Sequence, residues 1–210
     1  MTTRAVFLDA LGTIVELDPP WTRLAAELGV EADANLVSAV RAEMSYYKRH
    51  AHEGTDPEAL ADLRRRCAEL LSRELGREVG VETMMRSIRF RAAADAAPAL
   101  ADLRARGLAL VCVSNWDVSL AEVLERCGLA NLLDGVVTSA GSGRRKPDPA
   151  IFEPALALAG CGPPEALHVG DTVAEDVAAA RAAGIPHLLL NRDGDGEIAS
   201  LAEIEQHLRP

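Results

Sequence analysis

Short runs of consecutive apolar residues, separated by longer amphipathic stretches, set the pattern of this chain. Four runs are clear, at residues 5–8, 108–113, 167–169 and 187–190, and a weaker one covers residues 135–138. Because these runs are continuous rather than alternating, they favour parallel strands that helices cover on both faces.

Amphipathic segments lie between most of these runs. Their spacing predicts helices over residues 99–106, 118–127, 150–159 and 173–183, and a closing helix over residues 198–208. Proline near a helix start and glycine just past a helix end, as at Pro149 and Gly160, is the expected asymmetry of helix boundaries. Strands that alternate with helices predict an α/β fold with a doubly wound, Rossmann-like parallel sheet.

Residues 16–94 interrupt this alternation, because they show helical periodicity only. Leu60, Leu63, Cys67 and Leu71 recur at helical spacing after the helix start at Asp56-Pro57. We therefore predict an all-helical insert at residues 16–94 and an α/β core formed by residues 1–15 and 95–210. Five polar and aromatic residues of the insert could reach the crevice at the sheet edge, although a solvated helix face is the favoured interpretation: Arg41, Tyr46, Tyr47, His50 and His52.

Composition narrows the classes of partner. The chain has 210 residues, enough for a sizeable core, and a formal charge of −10 argues against nucleic-acid and anionic-membrane partners. It leaves a phosphorylated substrate open, because the charge at a site can oppose the global charge. No apolar stretch has the length of a signal peptide or a bilayer span, and no cysteines form a C-x-x-C pair. We expect buried free thiols at Cys67, Cys112, Cys127 and Cys161, and a cytoplasmic protein.

Polar residues follow the predicted strands where open α/β sheets bind ligands. Asp9 follows the first strand, Ser114 and Asn115 the second, and Asp171 the fourth. Taken singly, each of these motifs also fits an ordinary cap or turn. Taken together, Asp9 and the acids of residues 171–176 make a hard oxygen-ligand site suited to Mg²⁺. Lys146 adds a positive charge in a nearby loop, and Asp148 is expected to cap the next helix.

Four motifs in this order resemble those of the haloacid-dehalogenase superfamily: FLDALGT, VSN, KPDPAIF and GDTVAEDV. The helical insert takes the place of that superfamily's cap domain. The combination of SNWD with KPDP is most similar to a phosphatase-like branch. The resemblance implies a hydrolase in which Asp9 is a nucleophile that attacks phosphorus.

The resemblance also implies the remaining roles at the site. Mg²⁺ would be held by Asp9, the backbone carbonyl of Leu11 and Asp171, with Asp176 or its competitor Glu175 in support. Ser114 and Asn115 would hold phosphate oxygens or orient Asp9, and Lys146 would balance the charge. The expected partner is a small phosphorylated metabolite, for a monomer or homodimer that binds neither nucleic acid nor membranes.

One departure from the phosphatase pattern concerns proton transfer. Phosphatases of the superfamily carry a second aspartate two residues after the nucleophile, and this chain has Leu11 there. A positioned acid/base contributes about 10²–10⁴ in rate, so ordinary phosphatase activity should be weak. Asp117 and Glu16 are close enough in sequence to replace the aspartate, although each also fits a helix or loop position.

Because Leu11 replaces the second aspartate, two other functions remain open. A 2-haloacid dehalogenase also lacks the second aspartate, because a halide leaves without a proton, and its first motif resembles residues 9–13. Those enzymes need no Mg²⁺ and replace the acidic fourth motif, which this chain keeps. A non-catalytic protein that binds a phosphorylated ligand would also keep the ligands and lack the proton donor.

Overall fold

A parallel five-stranded sheet forms the centre of the computed structural model, which describes residues 2–209. The strand order is β5-β4-β1-β6-β7. These strands are β1 (Ala5–Leu8), β4 (Ala109–Ser114), β5 (Gly135–Thr138), β6 (Ala166–Gly170) and β7 (His187–Leu189). All five predicted runs are confirmed as strands. Every residue of β1 is fully buried, as expected for a central strand covered on both faces.

Helices pack on both faces of this sheet. They are α5 (Ala96–Ala105), α6 (Leu120–Arg126), α7 (Ser139–Ser142), α8 (Glu153–Ala159) and α9 (Ala178–Ala182). The doubly wound α/β fold is therefore confirmed. The Trp116 and Leu124 side chains lie in the hydrophobic core on one side of the sheet, and Phe7 and Phe152 in the core on the other.

Several helix boundaries differ from prediction. The segment predicted as one helix over residues 150–159 is a 3₁₀ turn (Pro149–Phe152) followed by α8, because Pro154 lacks the N–H that a continuous helix needs. A wide π-helical turn (Val173–Val177) precedes α9, and the closing segment is a 3₁₀ helix (Leu201–His207). The predicted cap is confirmed, since an Asp148 carboxylate oxygen accepts from the Ala150 N–H at 3.0 Å.

The insert contains α1 (Pro20–Leu28), α2 (Ala34–His50), α3 (Pro57–Leu75) and α4 (Val81–Ser87). The expectation of helices only is wrong at its two ends. There β2 (Val15–Leu17) pairs antiparallel with β3 (Phe90–Ala92) and ties the entering chain to the leaving chain. The start predicted at Asp56-Pro57 is confirmed, because the Asp56 side chain accepts from the Glu58 and Ala59 N–H groups.

The cysteine prediction is half right. All four thiols are free, and Cys67 and Cys112 are buried, but Cys127 and Cys161 are half-buried, just past the ends of α6 and α8. None of the helices described for residues 2–209 combines the length and apolarity that crossing a bilayer would require.

Candidate active site

Asp9 lies at the carboxyl end of the central strand, where two groups hold one of its oxygens. Asp9 Oδ1 accepts a hydrogen bond from Ser114 Oγ at 2.9 Å and another from Lys146 Nζ at 2.5 Å. Oδ2 accepts none from the residues that the structure describes. Burial raises the pKa of Asp9 to about 7, although the Lys146 ammonium opposes the rise. The carboxylate is thus anchored by one oxygen, with the other free.

Lys146 is the cation at the centre of the site and is 1% exposed. Its ammonium donates to Asp9 Oδ1, to Asp176 Oδ1 at 2.6 Å and to the Val113 carbonyl at 3.0 Å, which uses all three of its protons. Burial alone would lower the pKa of Lys146, but the two carboxylates more than offset it and raise it. Lys146 therefore stays charged between two acids.

Asp176 comes from the π-helical turn after β6 and is also fully engaged. Oδ1 accepts from Lys146 and lies 2.9 Å from His168 Nε2, while Oδ2 accepts from the Thr172 N–H at 3.1 Å. Burial opposes ionisation, but Lys146 and His168 together hold the pKa of Asp176 below its usual range. A side chain at Gly170 could not coexist with this arrangement, because its Cβ would lie 2.2 Å from Asp176 Cγ.

His168 is a residue of the site that the sequence reasoning missed. It is fully buried in β6 and packs edge-on against the Phe152 ring, with centroids 4.9 Å apart. Its Nδ1 has no hydrogen-bond partner among residues 2–209. Burial lowers the pKa of His168, so the ring is neutral and donates through Nε2 to Asp176.

The acids at the sheet edge fit a divalent cation. Asp9, Asp171 and Asp176 each offer a carboxylate oxygen within 4.8 Å of the others. Three carboxylates are a hard donor set of the kind Mg²⁺ prefers. Gly12 allows Asp171 to approach Asp9, because Gly12 has φ +91° and a Cβ at this position would lie 2.1 Å from Asp171 Oδ2. The first and fourth motifs are thus in contact.

A sequence model of the haloacid dehalogenase-like hydrolase family matches residues 3–184, which contain every one of these side chains. The chain belongs to this family. The haloacid dehalogenase-like hydrolase domain-containing protein 3 of Bos taurus is 45% identical over 87 residues, which are 41% of this chain and 35% of that relative. The phosphoserine phosphatase of Thermus thermophilus is 42% identical over 94 residues, which are 44% of this chain and 38% of that relative.

The chain therefore matches a little over a third of the length of these curated relatives. Among solved structures, a HAD phosphatase from Thermococcus onnurineus superposes with a TM-score of 0.69 at 23% identity, over 98% of this chain and 97% of that one. At this identity the likeness shows the fold alone. The shared fold extends over nearly the whole length of both chains.

Other residues predicted for this hydrolase site hold the loops together. Asn115 Nδ2 donates to the Lys146 carbonyl and to Glu175 Oε2, both at 3.0 Å, and Asn115 Oδ1 accepts from the Lys146 N–H at 2.8 Å. Glu175 also lies 3.5 Å from the Arg145 guanidinium. Asn115 is thus placed to position Lys146, whereas Ser114 contacts Asp9 directly. The predicted contacts of Ser114 and Asn115 with phosphate remain predictions, as does the role of the Leu11 carbonyl as a Mg²⁺ ligand.

The two candidate replacements for the missing acid are both engaged elsewhere. Asp117 is 2% exposed and accepts from Tyr47 Oη and from the Ser119 N–H, both at 2.7 Å. Glu16 pairs with Arg91 in the facing strand and lies 4.0 Å from Arg192. The interpretation of Tyr47 as part of a solvated face is wrong, because its hydroxyl crosses from the insert to the core. Burial and the adjacent carboxylate raise its pKa well above the usual range.

A cavity of about 600 Å³ joins this site to the insert. At one end it is bounded by Asp9, Leu11 and Asp171, and at the other by residues of α1 to α4. Six apolar side chains line the insert end: Leu24, Val40, Met44, Leu71, Met84 and Met85. A compartment of this volume is within the range of small-molecule sites. The hydrolase core and its insert therefore enclose a space for a ligand larger than a phosphate group.

Proposed function

We propose that this chain hydrolyses small phosphate monoesters, with Asp9 as the nucleophile and Mg²⁺ as the cofactor. The observation that carries the proposal is the state of the Asp9 carboxylate, in which Ser114 and Lys146 hold Oδ1 and no group of residues 2–209 donates to Oδ2. An anchored carboxylate with one free oxygen is suited to covalent catalysis. Phosphatase-named relatives such as the phosphoserine phosphatase of Thermus thermophilus support the same class of reaction.

In the proposed reaction an Asp9 oxygen forms a bond to phosphorus while the ester P–O bond breaks. The leaving alcohol oxygen takes up a proton from water, because Leu11 stands where an acidic side chain would otherwise supply it. Water then cleaves the acyl phosphate, which releases inorganic phosphate and regenerates the carboxylate. Asp9, the Leu11 carbonyl and Asp171 would hold Mg²⁺, and the cation would offset the charge of the phosphoryl group. Lys146 keeps Asp9 in place, and Asp176 keeps Lys146 in place.

The test uses p-nitrophenyl phosphate, because its leaving group needs no protonation. The lack of a proton donor at Leu11 should therefore lower the rate of its hydrolysis only slightly. We expect turnover with Mg²⁺, loss on chelation, and recovery when Mg²⁺ is returned. Asp9→Asn should lower kcat by about 10⁴-fold or more. The matched control is Asp148→Asn, since asparagine is an equally good helix cap and the position lies outside the Asp9, Asp171 and Asp176 cluster. Activity of Asp9→Asn equal to that of the control would overturn the proposal.

The Leu11 position also favours a second candidate, a dehalogenase acting on a small 2-haloacid. A halide leaves without a proton, so an apolar residue there costs that reaction nothing. Asp171 favours the phosphatase, because a metal-free reaction has no use for a further acid beside Asp9, whereas Asp176 would hold Lys146 in either reaction. Halide release from 2-chloropropionate in the presence of a chelator, without phosphatase activity, would support the dehalogenase.

The same position favours a third candidate, a protein that binds a phosphorylated ligand without turning it over. Without the second aspartate, a bound ester of a poor leaving group would not be cleaved at a useful rate. Tight, Mg²⁺-dependent binding of a phosphate ester, with no turnover of any ester including the activated one, would support it.

A further inference from the structure

The insert end of the cavity contains one acid among apolar side chains. Glu43 lies on α2 between Val40 and Met44 and lines the cavity, yet it is only 7% exposed. Leu71 and Met84 line the same region from α3 and α4. A carboxylate in such surroundings loses most of its hydration, which disfavours its charged form unless a charged partner compensates.

Glu43 has no such partner in the described part of the chain, residues 2–209. Among residues 2–209, only the thiol of Cys67 on α3, a weak donor, favours its ionisation, and no cation contributes to it. Burial raises the pKa of Glu43 accordingly. Lys48 and Arg64 also line the cavity, and neither forms an ion pair with Glu43.

The other acids that line the cavity are each accounted for. Asp176 and Glu175 contact Lys146 and Arg145, and Glu16 and Asp117 contact Arg91 and Tyr47. Asp9 and Asp171 belong to the cluster that would hold the cation. Asp117 also lacks a cation, but it accepts hydrogen bonds from Tyr47 Oη and the Ser119 N–H. Outside the Asp9, Asp171 and Asp176 cluster, Glu43 is thus the acid of this cavity that has neither a cation nor an N–H or O–H donor among residues 2–209. It lines the cavity from α2 of the insert, whereas the reacting carboxylate lines it from the core.

We propose that Glu43 selects substrates whose leaving group carries a primary amine at the end of an apolar segment. The inference rests on the proposed phosphate-ester hydrolysis and specifies its substrate class. The ammonium would supply the positive charge that Glu43 lacks, and the aliphatic segment would pack against Val40, Met44 and Leu71. A cavity of about 600 Å³ leaves room for such a segment between the phosphate end and Glu43.

The experiment compares ω-aminoalkyl phosphates with the alkyl phosphates of equal chain length, from propyl to octyl. For wild-type protein with Mg²⁺, we expect kcat/KM to favour the amine by about ten- to a hundredfold at the length that reaches Glu43, the worth of a charge-assisted hydrogen bond. Glu43→Gln keeps the shape and removes the charge, so it should lose this preference while the alkyl series stays within about threefold.

The matched control is Glu74→Gln, the same change on the exposed side of α3, which should keep the preference. A wild-type protein that shows no preference at any chain length would overturn the inference, and so would a preference that survives in Glu43→Gln. Glu43→Leu provides a second test if the glutamine variant fails to fold, because an apolar side chain suits the surroundings. It should abolish the preference in the same way.

Failure of this inference is distinguishable from failure of the proposed function. Turnover of the alkyl series tests hydrolysis without involving Glu43. If neither series is cleaved, turnover of p-nitrophenyl phosphate decides whether the proposed function fails, because Leu11 slows the cleavage of esters with poor leaving groups. Calorimetric binding of aminoalkyl and alkyl phosphonates still tests the selectivity in that case. Tighter binding of the amine by wild type, lost in Glu43→Gln, upholds the role of Glu43, and equal binding of the two phosphonates overturns it.

Discussion

The two ends of the cavity treat buried charge in opposite ways. At the Asp9 end, Lys146 is surrounded by two carboxylates and a carbonyl, and each of these contacts is 3.0 Å or shorter. At the insert end, Glu43 is nearly as buried, with a thiol as its partner. Where the chemistry is proposed, the chain supplies opposite charges for its buried ionisable groups. Where we propose that the substrate is recognised, the described residues supply no cation for the buried acid.

This difference follows from what each end has to do. A reacting carboxylate needs a fixed position before the substrate arrives, so its partners are built into the fold. A selective site gains most when it remains unsatisfied until the correct ligand binds, because the wrong ligand then leaves a buried polar group without a partner. The comparison can be tested by removing the partner at one end and the charge at the other.

The largest effect is expected from Lys146→Met. The change leaves Asp9 and Asp176 buried without a cation, a type of loss that destabilises proteins by about 3–5 kcal/mol. Denaturant unfolding would measure it, together with a near-complete loss of turnover. The control is Lys48→Met, at the other lysine of the chain, which is exposed and should change stability by about 0.5 kcal/mol or less. A Lys146→Met variant as stable as this control would show that the network adds nothing to the fold.

The next largest effect concerns the missing proton donor. Leu11→Asp should raise kcat by about a hundredfold for esters with poor leaving groups, because it restores protonation of the departing oxygen. The gain should be much smaller with p-nitrophenyl phosphate, whose leaving group needs no proton. Leu11→Asn has a similar shape and no acidic proton, so it should show no gain. If a folded Leu11→Asp variant also gains nothing, another group already supplies the proton.

Much of this end of the molecule could be predicted from the sequence. Continuous apolar runs reveal buried parallel strands, and parallel strands bring their carboxyl ends to one edge. This is why Asp9, Ser114 and Asp171 could be expected to converge although they are far apart in the chain. Strands as short as β2 and β3, of three residues each, are too brief to show a period, so the joint of the insert was not predicted.

Two ionisable residues were not predicted from the sequence, and both for the same reason. His168 lies within an apolar strand run, and Glu43 lies on the apolar face of a helix, so each was interpreted as part of the hydrophobic pattern around it. The signal that could have revealed them is an ionisable residue at a position where the periodicity predicts an apolar one. Such a position needs a partner or a function, and only the structure shows that His168 has a partner and Glu43 has no charged one.

A smaller effect is expected at His168. Its Nε2 donates to Asp176 Oδ1, and removal of a hydrogen-bond donor behind a metal site typically costs about 10–100-fold in metal affinity. We expect His168→Leu to weaken Mg²⁺ binding, measured by calorimetry without substrate, by about tenfold. His168→Gln retains a donor and should recover most of the affinity. Equal Mg²⁺ affinity of His168→Leu and wild type would show that the histidine only fills space.

The smallest effect tests the insert end through stability and pH. Burial raises the pKa of Glu43 in the folded state above its usual value of 4.5, so the folded protein holds this proton more tightly than the unfolded chain. Stability contributed by the protonated form is therefore present at pH 4.5 and below, and falls as the pH rises towards the folded-state pKa. Glutamine has no charge to bury at any pH.

Glu43→Gln should accordingly match wild type near pH 4.5 and exceed its Tm by about 2–4 °C at pH 8, the shift that roughly 1 kcal/mol produces in a chain of this size. Glu74→Gln, at an exposed position, should show no such divergence. A Tm difference that does not change with pH would mean that Glu43 carries no buried charge. The expected result has a functional cost, because the variant that gains stability is the one that we expect to lose selectivity for amines.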